Sequence, residues 1–228
     1  MCFSASASFG ASAVLGVMGV VAITKARTIP QRLFASIPLL FSVQQLVEGM
    51  LWLSLKDPGL VAWQPFFTYT FLVFATMVWP VWIPLTIRLL EKDAKRKKKM
   101  NILLSVGSLV FIGIGCVLLL YRVRVIPGHH HLHYDFNFPE RPTTGIVIFS
   151  LLYFAATIIT PFTSGIKKMK WLGIVFGASY LFAVSFYSGF VISVWCFFAA
   201  ILSFVVLWII LELRKPVRNL WSIPKGLN

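Results

Sequence analysis

The sequence predicts an all-α integral membrane protein: a single seven-helix bundle with its N-terminus outside and its C-terminus in the cytoplasm. Of its 228 residues, 58% are hydrophobic and only 12% are charged, and the mean hydropathy is +0.85. A soluble domain has roughly 45–50% apolar residues, and its core could not bury this much apolar surface. The apolar residues also form long segments separated by charged ones, as in a multi-pass membrane protein.

Seven apolar segments each approach the ~20 residues that a helix needs to cross about 30 Å of hydrocarbon. We predict helices at approximately 8–24, 33–55, 62–87, 101–121, 144–163, 171–188 and 191–211, in one domain covering 1–228. The uncharged run between Lys170 and Glu212 is divided near 187–189. As one helix it would be about 60 Å long, twice the thickness of a bilayer.

The distribution of lysine and arginine gives each loop a side of the membrane, because these residues concentrate in cytoplasmic loops. Seventeen of the 21 basic residues fall on one side of the predicted helices, and the other side has only Lys56, Arg122, Arg124 and Arg141. The topology therefore accounts for the net charge of +14, and the charge does not point to nucleic acid as a partner.

The densest basic run lies on the predicted cytoplasmic side, between helices 3 and 4. It comprises Lys95, Arg96, Lys97, Lys98 and Lys99. A basic cluster next to a transmembrane helix is attracted to the negative surface of the cytoplasmic leaflet. We expect these five residues to contact the anionic headgroups of membrane lipids.

Helix 2 contains Glu48, the one ionisable residue clearly inside a predicted membrane segment. Gln44 and Gln45 precede it by four and three residues and flank the carboxylate on one helix face, which Trp52 continues toward the outer surface. An ionisable group in the membrane is costly and commonly functional. We predict that these four residues face the bundle and form an outward-facing ligand-binding pocket, with hydroxyl, indole or backbone donors from other helices as partners.

The chemistry of this cluster leaves two interpretations open. A carboxylate between two amides can hold a cation, a proton or a small amine-bearing ligand, as in a binding, sensing or transport protein. The same residues can instead form a purely structural polar contact between helices in an accessory membrane protein. The sequence identifies no cofactor that would decide between them.

The predicted outer loop, 122–143, contains all four histidines of the chain. Alternate histidines of an extended segment lie on one side, and Cys2 is predicted on the same side of the membrane. Cys2, His131 and His133 are therefore candidate metal ligands, although the loop lacks the spacing of established zinc motifs and solvated histidines are the simpler interpretation. A metal here would favour an alternative function, a membrane-embedded lipid hydrolase with Glu48 as acid or base.

All three cysteines map to the outer half of the predicted bundle. In an oxidising compartment Cys2 and Cys196 could form a disulfide, and a metal site or simple packing are the alternatives. We expect Cys116, late in helix 4, to be a buried single thiol.

Four segments together resemble a known family. They are the opening residues 1–9 (MCFSASASF), the stretch from Gln44 to Trp52, the pair Trp79-Pro80, and residues 193–200 (SVWCFFAA). In combination they resemble an uncharacterised family of small bacterial multi-pass membrane proteins, classed as a domain of unknown function. The resemblance covers most of the chain. It implies a location in the bacterial inner membrane and no particular activity.

Overall fold

The computed structural model describes residues 4–128, 132–138, 143–186 and 198–214. Within these ranges, six helices are long and apolar enough to cross a membrane: α1 Ala5–Lys25, α2 Ile29–Ser54, α3 Pro58–Leu90, α4 Ala94–Leu120, α5 Thr143–Thr163 and α6 Met169–Phe186. A shorter apolar helix, α7, covers Ala199–Leu213. The fold is that of a multi-pass membrane protein, and the predicted division at 187–189 lies outside the described residues.

An antiparallel hairpin occupies part of the segment predicted as a loop, so the all-α prediction is wrong here. β1, Val123–Pro127, pairs with β2, Leu132–Phe136. β2 alternates apolar and polar residues, as does β1 as far as Val125, which gives an extended segment one apolar face. That face buries Val125, Leu132 and Tyr134 against one end of the bundle, in a cluster that includes Leu51, Trp52 and Phe71. We call this the hairpin end.

The opposite end carries the basic run and is called the basic end. α4 begins at Ala94 rather than at the predicted 101, because the side chain of Asp93 accepts a hydrogen bond from the backbone N–H of Arg96 at 2.8 Å. Such a cap satisfies one of the free donors of a first turn. Lys95–Lys99 therefore lie on a helix that extends beyond the apolar segment, with four of these five side chains exposed.

Small residues fix the antiparallel register of α1 against α2. Ser12 and Ser42 each donate a hydroxyl hydrogen bond to the other's carbonyl oxygen, at 2.9 and 2.7 Å. Nearer the basic end, a Cβ on Gly19 would lie 2.7 Å from the backbone nitrogen of Leu39. Nearer the hairpin end, the ring of Phe9 packs on Gly49. This close contact along most of both helices is typical of small-residue packing in membranes.

Two π-helical turns interrupt the long helices in the part of the chain that the structure describes. In α3 the turn covers Val73–Val78, and in α5 it covers Ala155–Ile159. A proline stands two residues after the end of each turn, where it removes a backbone donor. In the π-helical register the carbonyl of Ala75 faces the nitrogen of Pro80, which has no proton. The hydroxyl of Tyr153 donates to that carbonyl at 3.0 Å and so joins α5 to α3.

The carboxylate of Glu91, just beyond α3, accepts hydrogen bonds from two connecting segments at the basic end. Glu91 Oε1 accepts hydrogen bonds from the backbone N–H groups of Lys92 and Asp93 at 2.9 and 3.2 Å. Glu91 Oε2 accepts from Ser164 Oγ at 3.3 Å and from the N–H of Gly165 at 2.5 Å. One carboxylate therefore links the α3–α4 turn to the segment between α5 and α6.

Candidate functional site

The residues predicted around Glu48 lie together on the buried face of α2. The Glu48 side chain is 0% exposed, and Gln44, Gln45 and Trp52 are also buried. Leu46, on the opposite face of the helix, is exposed. An ionised group that faced lipid would cost about 2.5–3.5 kcal/mol on insertion scales, so orientation toward the bundle is the physically favoured arrangement.

Each glutamine of this face makes a different hydrogen bond. Gln45 Nε2 donates to Glu48 Oε2 at 2.9 Å, within α2. Gln44 Oε1 accepts from the indole Nε1 of Trp79 at 2.9 Å, and Trp79 stacks on Phe41 with ring centroids 3.9 Å apart. One amide therefore positions the carboxylate, and the other connects α2 to α3 immediately after the π-helical turn.

Trp79 is the site residue that the sequence analysis did not identify. An indole donor was expected as a partner of the cluster, but the sequence does not show that residue 79 would reach residue 44. The Trp79-Pro80 pair is one of the four segments that carry the family resemblance. Trp79 directly follows the π-helical turn of α3, and this turn determines the direction in which the indole leaves the helix.

Three buried polar atoms on α1 and α2 have no hydrogen-bond partner among the described residues: Gln45 Oε1, Ser8 Oγ and Trp52 Nε1. Gln45 Oε1 belongs to the amide that donates to Glu48, so it lies within about 5 Å of the carboxylate. Ser8 is one helical turn from Ser12 and faces the next turn of α2 toward the hairpin end. An unsatisfied buried polar group costs about 1–3 kcal/mol, which favours a bound water, ion or ligand here.

The hairpin covers this end of the bundle. Leu132 of β2 is buried in one apolar cluster with Leu51 and Trp52 of α2, and Phe71 of α3 stacks on Tyr134 with ring centroids 5.5 Å apart. The described residues therefore place an apolar cover on the hairpin side of Trp52.

The predicted metal ligands fall only partly within the described residues. Cys2 and His131 lie outside them, as does Cys196. His133 lies on β2 opposite Ile126, and it alternates with the inward-facing Leu132 and Tyr134. Across the ranges that the structure describes, no three His, Cys, Asp or Glu side chains come together in a group that could hold a metal ion.

Cys116 is exposed, which corrects the prediction of a buried thiol. α4 buries Gly107, Val110 and Leu118 against the bundle, and Cys116 lies on another side, near the exposed Ile112. A transmembrane helix at the edge of a bundle leaves most of its surface to lipid. Its apolar composition therefore does not show which residues are buried.

Comparison with known proteins identifies a family and no activity. No curated protein and no solved structure matches the sequence. A family model described as a family of unknown function, DUF6629, matches residues 1–220. The predicted resemblance to an uncharacterised family agrees with this match, which covers nearly the whole chain. The chain is therefore a member of the family of unknown function DUF6629.

Proposed function

We propose that this membrane protein is a binding, sensing or transport protein that takes up a proton or a small cation at Glu48. The observation that carries the proposal is the unpaired Gln45 Oε1 beside the buried Glu48 carboxylate. Ser8 of α1 also has an unpaired buried hydroxyl, one turn from the Ser12–Ser42 contact with α2, and it would supply a third kind of oxygen from a second helix. Carboxylate, carbonyl and hydroxyl oxygens are the ligands that hard cations prefer. The ammonium group of a small amine could donate to the same atoms.

The Gln45–Glu48 pair can accommodate either protonation state. An ionised Glu48 accepts from Gln45 Nε2, as in the structure. A protonated carboxyl group carries an O–H donor instead, and Gln45 Oε1 can accept from it after the amide turns over. A cation would occupy the same oxygen atoms in place of the proton. These alternatives make Glu48 suited to exchanging a proton for another cation.

The link from Gln44 to Trp79 provides a way for occupancy at Glu48 to affect α3. Gln44 is one turn from Glu48 on the same helix face, and its carbonyl oxygen holds the Trp79 indole. Trp79 directly follows the π-helical turn Val73–Val78, a kind of turn that is frequent at functional sites. A shift of this face of α2 would therefore act on the least regular part of α3.

Substitution of Glu48 by glutamine tests the proposal. We expect the wild-type protein in lipid nanodiscs to gain thermal stability with one of Na⁺, K⁺, Ca²⁺ or methylammonium, and to show a pH dependence that the bound cation shifts. At a cation concentration 100-fold above Kd, the gain should be about 2.7 kcal/mol. Glu48→Gln should remain folded and lose the cation response, because an amide has no negative charge.

Glu212→Gln is the matched control, since it makes the same chemical change near the basic end of α7 and should leave the cation response intact. Two results would contradict the proposal. In the first, no cation changes the thermal stability of the wild-type protein, and the wild type and Glu48→Gln show the same dependence of stability on pH. The other is a Glu48→Gln variant that keeps the full response. Either would make Glu48 a structural contact between helices.

We further propose the orientation and setting of the chain: seven spans, N-terminus outside, C-terminus in the cytoplasm, in the bacterial inner membrane. The concentration of basic residues at one end supports this orientation under the positive-inside rule. In this orientation the exposed side chains among Lys95–Lys99, on the first turns of α4, would contact anionic headgroups of the cytoplasmic leaflet.

Cysteine labelling of intact cells tests the orientation. In a background without Cys2, Cys116 and Cys196, a membrane-impermeant maleimide should label Asp57→Cys at the hairpin end. Lys98→Cys at the basic end should react only after the cells are permeabilised. Both replaced residues are exposed, so poor access within the fold would not explain a difference. Labelling of Lys98→Cys alone in intact cells would reverse the proposed orientation.

A further inference from the structure

A cavity at the hairpin end lies between the first turns of α3 and strand β1. Its volume is about 450 Å³, within the range of small-molecule sites. The walls combine apolar with polar side chains: Val61, Pro65 and Val123 with Gln64, Thr68 and Arg124. Thr68 uses its hydroxyl to donate to the Gln64 carbonyl. Arg124 is the charged residue in this lining, and its side chain is exposed.

The cavity lies where the helices leave the membrane, since α3 begins and α4 ends at this level. Trp63 and Phe66 beside it are each 57% exposed, and their rings meet edge to face with centroids 6.1 Å apart. Exposed tryptophan at the end of a transmembrane helix is typical of the headgroup region. We therefore expect the mouth of the cavity to lie at the level of the lipid headgroups, with the exposed Trp63 and Phe66 toward the acyl chains.

The charged residue of the cavity lining, Arg124, has an acidic partner on the neighbouring strand that lies outside the lining. Arg124 lies directly across the strand ladder from Asp135, and both side chains are exposed. The structure records no ion pair between them. Directly opposed residues in an antiparallel pair have Cβ atoms about 4.5–5.5 Å apart on the same face. A ligand with a negative and a positive group a few bonds apart would match them.

We propose that this cavity binds a phospholipid with a zwitterionic ethanolamine headgroup. Arg124 would hold the phosphate through two parallel N–H···O bonds, and Asp135 would accept hydrogen bonds from the ammonium group, which is two carbons away from the phosphate ester. The acyl chains would lie along Val61, Trp63 and Phe66. A free phosphate would leave the apolar walls unused, and a purely anionic lipid would leave Asp135 beside another negative charge.

Lipid competition followed by native mass spectrometry tests the proposal. The purified full chain is offered equal amounts of phosphatidylethanolamine, phosphatidylcholine and phosphatidylglycerol. We expect the wild-type protein to retain phosphatidylethanolamine preferentially. Arg124→Gln should retain it about tenfold less, as expected for the loss of hydrogen bonds to a charged group. Asp135→Asn should keep binding phospholipid but lose the preference over phosphatidylglycerol.

Arg122→Gln is the matched control, because Arg122 is an exposed arginine two residues earlier that does not line the cavity. Its lipid retention should equal that of the wild type. If Arg124→Gln fails to fold, Arg124→Lys replaces it, because lysine keeps the positive charge without the paired donors. Its loss of phosphatidylethanolamine retention should be intermediate. Equal retention of the three lipids by the wild type would overturn the proposal. Equal losses in Arg124→Gln and Arg122→Gln would also overturn it.

Discussion

Replacement of Gly107 by alanine should destabilise the bundle by about 3 kcal/mol, the upper end of the usual cost of overpacking. A Cβ at this position of α4 would collide with the carbonyl oxygen of Pro80 in α3 and would also contact Ala156 of α5. The N–H that normally pairs with the Pro80 carbonyl within α3 is absent, because residue 84 is also proline. That carbonyl can therefore point at α4. Because a backbone oxygen cannot rotate away as a flexible side chain can, the helices themselves would have to move to make room for the new methyl group.

Gly10→Ala is the matched control for this prediction. Gly10 lies in α1, also a transmembrane helix, and a Cβ there meets no atom within 4 Å. Alanine is favoured over glycine in a helix by about 0.5–1 kcal/mol, so this variant should be as stable as the wild type or slightly more so. Thermal unfolding followed by tryptophan fluorescence measures both variants. If the two alanine variants unfold at the same temperature, α3 and α4 do not approach as closely as the structure shows.

The sequence predicted the features of the fold that depend on composition and helical period. Six of the predicted membrane segments correspond to described helices long enough to span a membrane, because the cost of exposing polar backbone in lipid leaves few alternatives to a helix. The period of 3.6 residues likewise placed Gln44, Gln45 and Glu48 on one face of α2. Both predictions follow from local rules that need no knowledge of neighbouring elements.

The features that the sequence did not predict depend on contacts between distant residues or on short signals. The hairpin strands have five residues each, and such short alternation is easily taken for a loop beside long apolar helices. The predicted α4 begins after the basic run because apolar residues alone defined it, although Asp93 is a good capping residue and the helix begins at Ala94. The bond from Trp79 to Gln44 depends on how α3 turns after its π-helical segment, which proline positions alone do not determine.

The stability of the basic end should decrease in acid through Glu91. Its side chain is only 6% exposed. Burial raises the pKa of Glu91, but hydrogen bonds from the backbone of Gly165, Asp93 and Lys92 and from the Ser164 hydroxyl outweigh it, so the pKa is lowered from its ordinary value of 4.5. Above pH 4.5 Glu91 is ionised in both the folded and unfolded states, and its contribution is complete. As the pH falls through the lowered folded pKa, that contribution is lost.

Glu91→Gln should therefore lower the free energy of unfolding by about 2 kcal/mol at neutral pH, within the range for hydrogen bonds to a charged group. It should also remove the part of the acid destabilisation that begins just below pH 4.5.

Asp57→Asn is the control: Asp57 is an exposed acid at the hairpin end that accepts one backbone hydrogen bond from Gly59. Thermal unfolding of the three proteins between neutral pH and pH 3 measures the effect. Because a protonated carboxyl cannot hold four donors as a carboxylate does, the wild type and Glu91→Gln should converge in acid. If the stabilities of the wild type and Glu91→Gln instead differ by the same amount at every pH, the charge of Glu91 is not what links the α3–α4 turn to the segment between α5 and α6.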